Sequence, residues 1–480
     1  MMSGFWSILF SMIVILAIVG VVIVVLTDER SSSEKLIWIA LVVVFPVVGL
    51  ILYFLLGINF RTASLRQRNH KTFKDTLESF ADPSIRQIGR GPGLTDLLDP
   101  HYRPLAKLVS SGLGSAVTTA SDIEIFTEGQ EKLERLMEDL RGARHYIHME
   151  YFYFRKGEMG TKFKNLLKEK AREGVKVRFI RENIANFDIL PHYYNEMREA
   201  GVEVVKFTPT FGHLLTAGTK LNYRDHRKIA IIDGRIAYTG GMNISDDYYS
   251  KWRDTHVRFT GPAVAALQLH FLDSYITSGG KVEEPEEMLF PTVGEEPAAN
   301  PVQISPGDPD TPWPVLSMEY EWLLYNARDY IWIQTPYLLP PEPVMQALKA
   351  AALRGVDVRL MVPRKADIWV LTQANRSYYP ELLKAGVRIY ENRGRFIHSK
   401  TFVSDGYVSS VGSTNLDFRS LQLSYEMNVI FYGEDTASRN REIFMKDLLE
   451  CTELSRERWI NPPRFRKIWY SLFRLLAPIL

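Results

Sequence analysis

Cysteine is almost missing from this chain of 480 residues. The single Cys451 has no partner for an internal disulfide and no neighbours for a thiolate metal site, which excludes a disulfide framework and fits a reducing compartment. A surplus of one charge is missing too. With 58 Lys and Arg against 56 Asp and Glu the formal net charge is +2, without the broad basic footprint of a nucleic-acid binder. A third absence is local: Phe5 to Leu26 and Leu36 to Gly57 are each 22 residues without a charged side chain. At about 1.5 Å per residue, either would cross a hydrocarbon core roughly 30 Å thick. Two membrane spans forming a hairpin over residues 1–60 are expected, the second tolerating Pro46 and Gly49. The uncharged start Met1 to Gly4 argues against a signal peptide. Arg61, Arg66, Arg68 and Lys71 follow the second segment without an acid, whereas the connecting loop sets Asp28, Glu29 and Glu34 against Arg30 and Lys35. Basic flanks stay inside, which predicts a multi-pass protein of the cell membrane with its main body on the cytoplasmic side.

What is present after about residue 120 is an alternation. Residues 61–120 read as a juxtamembrane connecting segment with short helices and the turn signals GRGPG and LLDPHYRP. Then HYIHMEYFYF (145–154) reads as strand, KFKNLLKEKAREG (162–174) as an amphipathic helix ending at a glycine, VKVRFI (175–180) as strand, and LPHYYNEMREAG (190–201) as helix before VEVVKF. The same order recurs in YIWIQTPYL (330–338), MQALKAAALRG (345–355), VDVRLMVP and ELLKAGVRIY. An α/β fold of two tandem duplicated domains follows, 121–278 and 315–480, each a β-sheet flanked by helices. Residues 279–314, rich in Pro, Glu and Gly, read as a linker. Gly201 precedes His226 by 25 residues but Gly386 precedes His398 by only 12, so the first copy carries a 13-residue insertion around TPTFGHLLTAGTKLNY, read as a surface loop or a shaper of substrate entry.

The chemistry sits at matched offsets. HRKIAIIDGRIAYTGGMN carries His226, Lys228, Asp233, Gly240, Gly241 and Asn243; HSKTFVSDGYVSSVGSTN carries His398, Lys400, Asp405, Gly412, Ser413 and Asn415. Eleven residues past each asparagine stands an acid, Asp254 or Glu426, which is 28 residues past each histidine. In a strand, positions i and i+2 share a face, so each histidine projects with its lysine. Asp-Gly signals a hairpin turn into return strands that end in small residues. There, amides at Gly241 and Ser413 and the side chains of Asn243 and Asn415 would approach an anion. Each copy thus gathers an imidazole, an ammonium and an amide: a phosphate-binding set with a nucleophile. For Asp233 and Asp405, capping of backbone amides at the turn stands beside a catalytic role.

The paired H-x-K-x4-D-x6-G-[GS]-x-N motifs resemble the phospholipase D superfamily, and with two N-terminal spans the chain is similar to bacterial cardiolipin synthases. That resemblance implies one active site between the halves, related by a pseudo-twofold axis, without metal, cofactor or nucleotide. It implies phosphatidyl transfer between two phosphatidylglycerol molecules, giving cardiolipin and glycerol. One histidine would form a phosphatidyl-histidine and the other would act as acid and then base, with His226 as nucleophile by family precedent and the order left open by the near symmetry. Lys228, Lys400, Asn243, Asn415, Gly241 and Ser413 would hold phosphate oxygens, Asp233 and Asp405 complete the catalytic motif, and Asp254 and Glu426 would orient the histidines. Other readings are a hydrolase of the same superfamily, a transphosphatidylase using another alcohol, a membrane-anchored nuclease, which the near-neutral charge disfavours, and an inactive lipid-binding scaffold, which two complete motifs disfavour. The basic stretch after the second span either sets topology or meets anionic lipid. The C-terminal RFRKIWYSLFRLLAPIL (464–480) reads equally as an interfacial amphipathic helix or as a final helix docked on the core.

Overall fold

The histidine motifs lie in sheets whose order follows from the alternation in the sequence. A computed structural model describes residues 2–27, 32–53, 94–182, 185–186, 191–207, 223–291, 300–309, 311 and 313–476. In the first half, Glu203–Lys206, Lys176–Arg181 and Tyr146–Tyr151 run parallel. Lys228–Ile232 joins them antiparallel, with Lys228 opposite Tyr151, and Ile236–Gly240 and Trp252–Thr260 follow. The second half repeats this order with Arg388–Asn392, Asp357–Pro363, Tyr330–Gln334, Thr401–Ser404, Val408–Gly412 and Ser424–Tyr432. Helices cover both faces, and the central strand Tyr146–Tyr151 is accordingly buried at every position. The expected helices form as Glu158–Arg172, Pro191–Glu199, Glu342–Leu353 and Trp369–Ala385, the last ending where Gly386 takes φ 102°.

Two stretches expected to lie outside the domains belong to the packed body. Within 279–314, Asn300–Gly307 is a strand with Val302 to Gly307 buried. It pairs on one side with Ser424–Tyr432 and on the other with Val117–Ala120. The strand Val117–Glu128 continues onto Trp252–Thr260, so it ties the two sheets together. Prolines at both ends of VQIS mask a short apolar alternation that the sheet satisfies. Within 61–120, the helix Arg103–Leu113 packs Leu105, Val109 and Leu113 into the same apolar cluster as Leu324, Ile331 and Leu348 of the second half.

At the N-terminus, Met2–Thr27 is one helix, and its Ile8–Thr27 portion is long and apolar enough to cross a membrane. The second apolar segment, expected as one span, is divided into Ser32–Val44 and Pro46–Leu52. Proline at 46 has no amide hydrogen to continue the ladder, and Phe45 leaves helical geometry at φ −124°, ψ 72°. Val21 and Val25 pack against Val42 and Tyr53. The basic residues 61–71 and nearly all of the insertion lie outside the described residues.

Candidate active site

Each histidine stands between two short stretches of strand. Arg224–Asp225, just before His226, pairs in parallel with Ser424–Tyr425 of the other half, and the His226 amide donates to the Tyr425 carbonyl at 2.8 Å. Phe396–Ile397, just before His398, pairs likewise with Trp252–Arg253, and the His398 amide donates to the Arg253 carbonyl at 2.7 Å. Each histidine is thereby stitched to the residue preceding the opposite half's acid. The side chains follow: His226 Nδ1 lies 2.9 Å from Glu426 Oε2, and His398 Nδ1 lies 2.7 Å from Asp254 Oδ2. Each acid therefore contacts the histidine of the opposite half and not the one 28 residues before it in its own copy. Where the carboxylate is ionised and accepts from Nδ1–H, as Asp254 does, Nε2 keeps its lone pair.

The lysines are buried with little to neutralise them. Lys228 Nζ donates to the His226 carbonyl and lies 5.1 Å from the centre of the Phe152 ring, and among the described residues no carboxylate comes within 4 Å of it. Lys400 Nζ donates to the His398 carbonyl and lies 3.7 Å from Asp254. Burial lowers Lys228 to about 7 and Lys400 to about 8. Burial, then Lys228 and Lys400, holds His226 well below its ordinary value, and burial and Lys400 lower His398 to about 4. The acids differ from one another. Burial would raise Asp254, but Lys400 and His398 outweigh it and hold the carboxyl below its usual range. Burial prevails at Glu426, offset only in part by Lys228 and the Ser413 hydroxyl, and lifts it to about 8. Two buried lysines beside two neutral imidazoles gather hydrogen-bond donors suited to an anion.

Four expected site residues serve differently. The Asp233 carboxylate accepts from the amides of Arg144, His145 and Tyr146, each at 2.8 Å, and Asp405 accepts from Arg328, Asp329 and Tyr330 at 2.8–2.9 Å. Both are at φ near +50° in Asp-Gly turns, the conformation of the predicted hairpins. At roughly 3.3 Å per residue, Asp233 is about 17 Å along the chain from Lys228. The catalytic expectation for this pair gives way to the amide-capping one. Gly241 and Ser413 likewise have no amide to offer an anion, because these donate to the carbonyls of Thr255 (2.8 Å) and Met427 (3.0 Å). Gly241 instead leaves room for Asp254, whose carboxylate occupies the place a Cβ would take, and the Ser413 hydroxyl donates to Glu426. Asn243 and Asn415 are buried beside the histidine motifs. Each spends one Nδ2 hydrogen on a hydroxyl, Tyr248 at 2.9 Å and Ser420 at 3.2 Å, which leaves a second.

Residues that the motif reading passed over complete the surroundings. Tyr248 Oη lies 3.2 Å from His398 Nδ1, and the rings of Trp252, Phe396 and Tyr337 stand 5.1, 5.6 and 6.1 Å from that imidazole. Phe152 stands edge-on to His226 at 4.8 Å. Tyr248 and Ser420 are each five residues past their asparagine, a matched offset visible in the repeat. Arg253, beside Asp254, reaches Asp447 at 3.0 Å and Ser399 at 2.8 Å, tying the acid's strand to the other half.

The chain is similar to known proteins along most of its length. The family model described as "Cardiolipin synthase, PLD-like domain" matches residues 136–273 and again 321–448, and "Phospholipase_D-nuclease N-terminal" matches 15–57. A cardiolipin synthase of Geobacillus kaustophilus (strain HTA426) is 36% identical over 100% of this chain and 96% of its own length. The major cardiolipin synthase ClsA of Bacillus subtilis (strain 168) is 34% identical over 99% of each. Among solved structures, phosphatidylserine synthase of Haemophilus influenzae Rd KW20 superposes with a TM-score of 0.60 at 14% identity, covering 80% of this chain and 100% of that one, a likeness of fold.

Proposed function

The chain belongs to the cardiolipin synthase family, whose phospholipase D-like domain it carries twice, and from that premise we propose that it joins two phosphatidylglycerol molecules into cardiolipin with release of glycerol. The observation that carries a single shared site is the exchange of acids: His226 depends on Glu426 and His398 on Asp254, so neither half orients its own histidine.

In the first displacement, His226 Nε2 attacks phosphorus and the bond to the glycerol oxygen breaks. His398, as the imidazolium, gives that oxygen its proton, and phosphatidyl-histidine forms. In the second, the hydroxyl of another phosphatidylglycerol attacks phosphorus, His398 recovers the proton, and His226 departs. Lys228 and Lys400, with the free hydrogens of Asn243 and Asn415, hold the non-bridging oxygens where charge gathers. A bound phosphodiester supplies the anion that Lys228 lacks and a second one beside Lys400, whose charge on His398 it counters. Asp254, held ionised, suits His398 to the imidazolium it must visit twice. Glu426, raised to about 8, suits His226 differently, since it can take the Nδ1 proton as phosphorus bonds to Nε2.

The catalytic domains (121–278 and 315–480, related by a pseudo-twofold axis) are best read on the cytoplasmic side of a two-span anchor, supported by Arg61, Arg66, Arg68 and Lys71 beside the second apolar segment. Purified protein in mixed micelles with labelled phosphatidylglycerol and EDTA, and no nucleotide, tests the reaction. Cardiolipin with equimolar glycerol is expected; phosphatidic acid alone, or a need for a nucleotide-activated lipid, contradicts it. His226→Ala and His398→Ala should each lower turnover by about 10⁴-fold or more.

A further inference from the structure

The C-terminal helix Arg464–Leu476 is docked and yet keeps an apolar stripe outward. Tyr470 is buried and stacks with Trp459 at 6.3 Å, Arg474 pairs with Glu381 at 3.0 Å, and Trp469 Nε1 donates to Gln373 at 3.3 Å, so one face is fixed on the helix Trp369–Ala385. On another face Phe465, Ile468, Trp469 and Leu472, at i, i+3, i+4 and i+7, are 43–70% exposed. The stripe continues onto Ile368 and Trp369, themselves 54% and 58% exposed, with the Trp369 and Trp469 rings 6.1 Å apart.

Three observations say what covers this patch. The helix contains no acid, and Arg464, Arg466 and Lys467 are exposed beside the stripe without a carboxylate within 4 Å among the described residues. Two tryptophans stand where apolar and charged side chains meet, the composition of an interfacial segment. The patch also adjoins the site: Asp367, the residue before Ile368, accepts a 2.9 Å hydrogen bond from Tyr337 Oη, and the Tyr337 ring faces His398 edge-on at 6.1 Å.

We propose that this patch is a second membrane contact, lying on an anionic bilayer so that the His398 side of the active site opens toward the lipid headgroups. The proposal rests on the lipid-substrate reading above and names the surface from which that lipid arrives.

The test uses the full chain with Cys451→Ser and Ile468→Cys, carrying a polarity-sensitive dye at 468 and held one molecule per nanodisc. With phosphatidylglycerol present, the emission should shift to the blue and be quenched by nitroxides on the acyl chains. Emission that stays water-like and iodide-quenchable overturns the proposal, as does a shift that appears equally for the same protein in detergent without lipid and grows with its concentration, the mark of a second copy. Phe465→Ser, Ile468→Ser and Leu472→Ser together should lower turnover of bilayer phosphatidylglycerol about 10-fold and spare a short-chain form dissolved below its micelle concentration. Equal loss on both substrates, or on neither, contradicts it. A lipid-buried dye on a protein that never makes cardiolipin would sink the reaction and leave the surface standing.

Discussion

The two histidines occupy matching positions in unlike surroundings. His398 sits among Tyr248, Trp252, Phe396 and Tyr337, against an ionised Asp254, with 6% of its side chain exposed. At the positions of Tyr248, Trp252 and Phe396, the His226 side has Ser420, Ser424 and Arg224; its acid is the longer Glu426, bound by Ser413, and 14% of its side chain is exposed. The difference teaches how a duplicated motif divides labour. An aromatic, dry wall around a permanent carboxylate favours a group that cycles through a cation. A more exposed imidazole, with Phe152 on one side and a titrating carboxyl bound by Ser413, favours a group that forms a bond to a bulky phosphate. The motif residues alone do not carry this distinction; their neighbours do.

The comparison breaks most severely at Asp254. Asp254→Asn should lower kcat by about 10³–10⁴, because His398 loses both its tautomer control and the charge that stabilises its imidazolium in both steps. Gly241→Ser, which writes the second half's residue into the first, should cost about 10²-fold by driving a Cβ into the Asp254 carboxylate, while His226 remains paired with Glu426. Steady-state assays on micellar phosphatidylglycerol read both.

Glu426 sharpens the comparison through pH. Below about 8 it is protonated, donates to His226 Nδ1 and leaves the proton on Nε2, so kcat/KM should rise as pH approaches 8. Lys228 loses its charge from about 7 and Lys400 from about 8, so the rate falls on the alkaline side, a limb that bound phosphate moves upward. Glu426→Gln should remove the rising limb; Asp254→Asn should leave it. The same shift affects stability. A raised folded-state value means Glu426 contributes fully below its unfolded value and loses that contribution as pH rises through about 8, so the Gln variant should gain in Tm relative to the parent between pH 5 and 9.

Asp233→Ala should act on folding and not on chemistry. It removes a carboxylate from three amides and places Ala at φ 51°, for a loss of about 2–4 kcal/mol and several degrees in Tm, with kcat of the folded fraction unchanged. Ser413→Gly should have the smallest effect. Without its hydroxyl Glu426 rises further, and the rising limb should move alkaline with a few-fold loss at neutral pH.

Much of this was legible because it is local. Alternating strand and helix patterns, the Asp-Gly turns and the repeat itself all depend on residues close in sequence. Pairing across the halves does not. The constant 28-residue spacing does not say which acid meets which histidine, and the parallel pairing of Arg224–Asp225 with Ser424–Tyr425, and of Phe396–Ile397 with Trp252–Arg253, matches them across the halves. Asn300–Gly307 was hidden by the proline-rich composition around it, since a strand supported by two long-range neighbours needs little propensity of its own. Gly241 looked like an anion-binding glycine because its companion, Asp254, approaches from thirteen residues away in sequence.

The central claim is that His226 takes the lipid and His398 moves the proton. A phosphatidyl ester of p-nitrophenol, whose leaving group needs no protonation, separates these roles. With this substrate His398→Ala should give a burst of close to one nitrophenolate per chain and hold the labelled phosphatidyl group on the peptide bearing His226, whereas His226→Ala should give no burst. Label on the His398 peptide, or a burst from His226→Ala, would contradict the assignment.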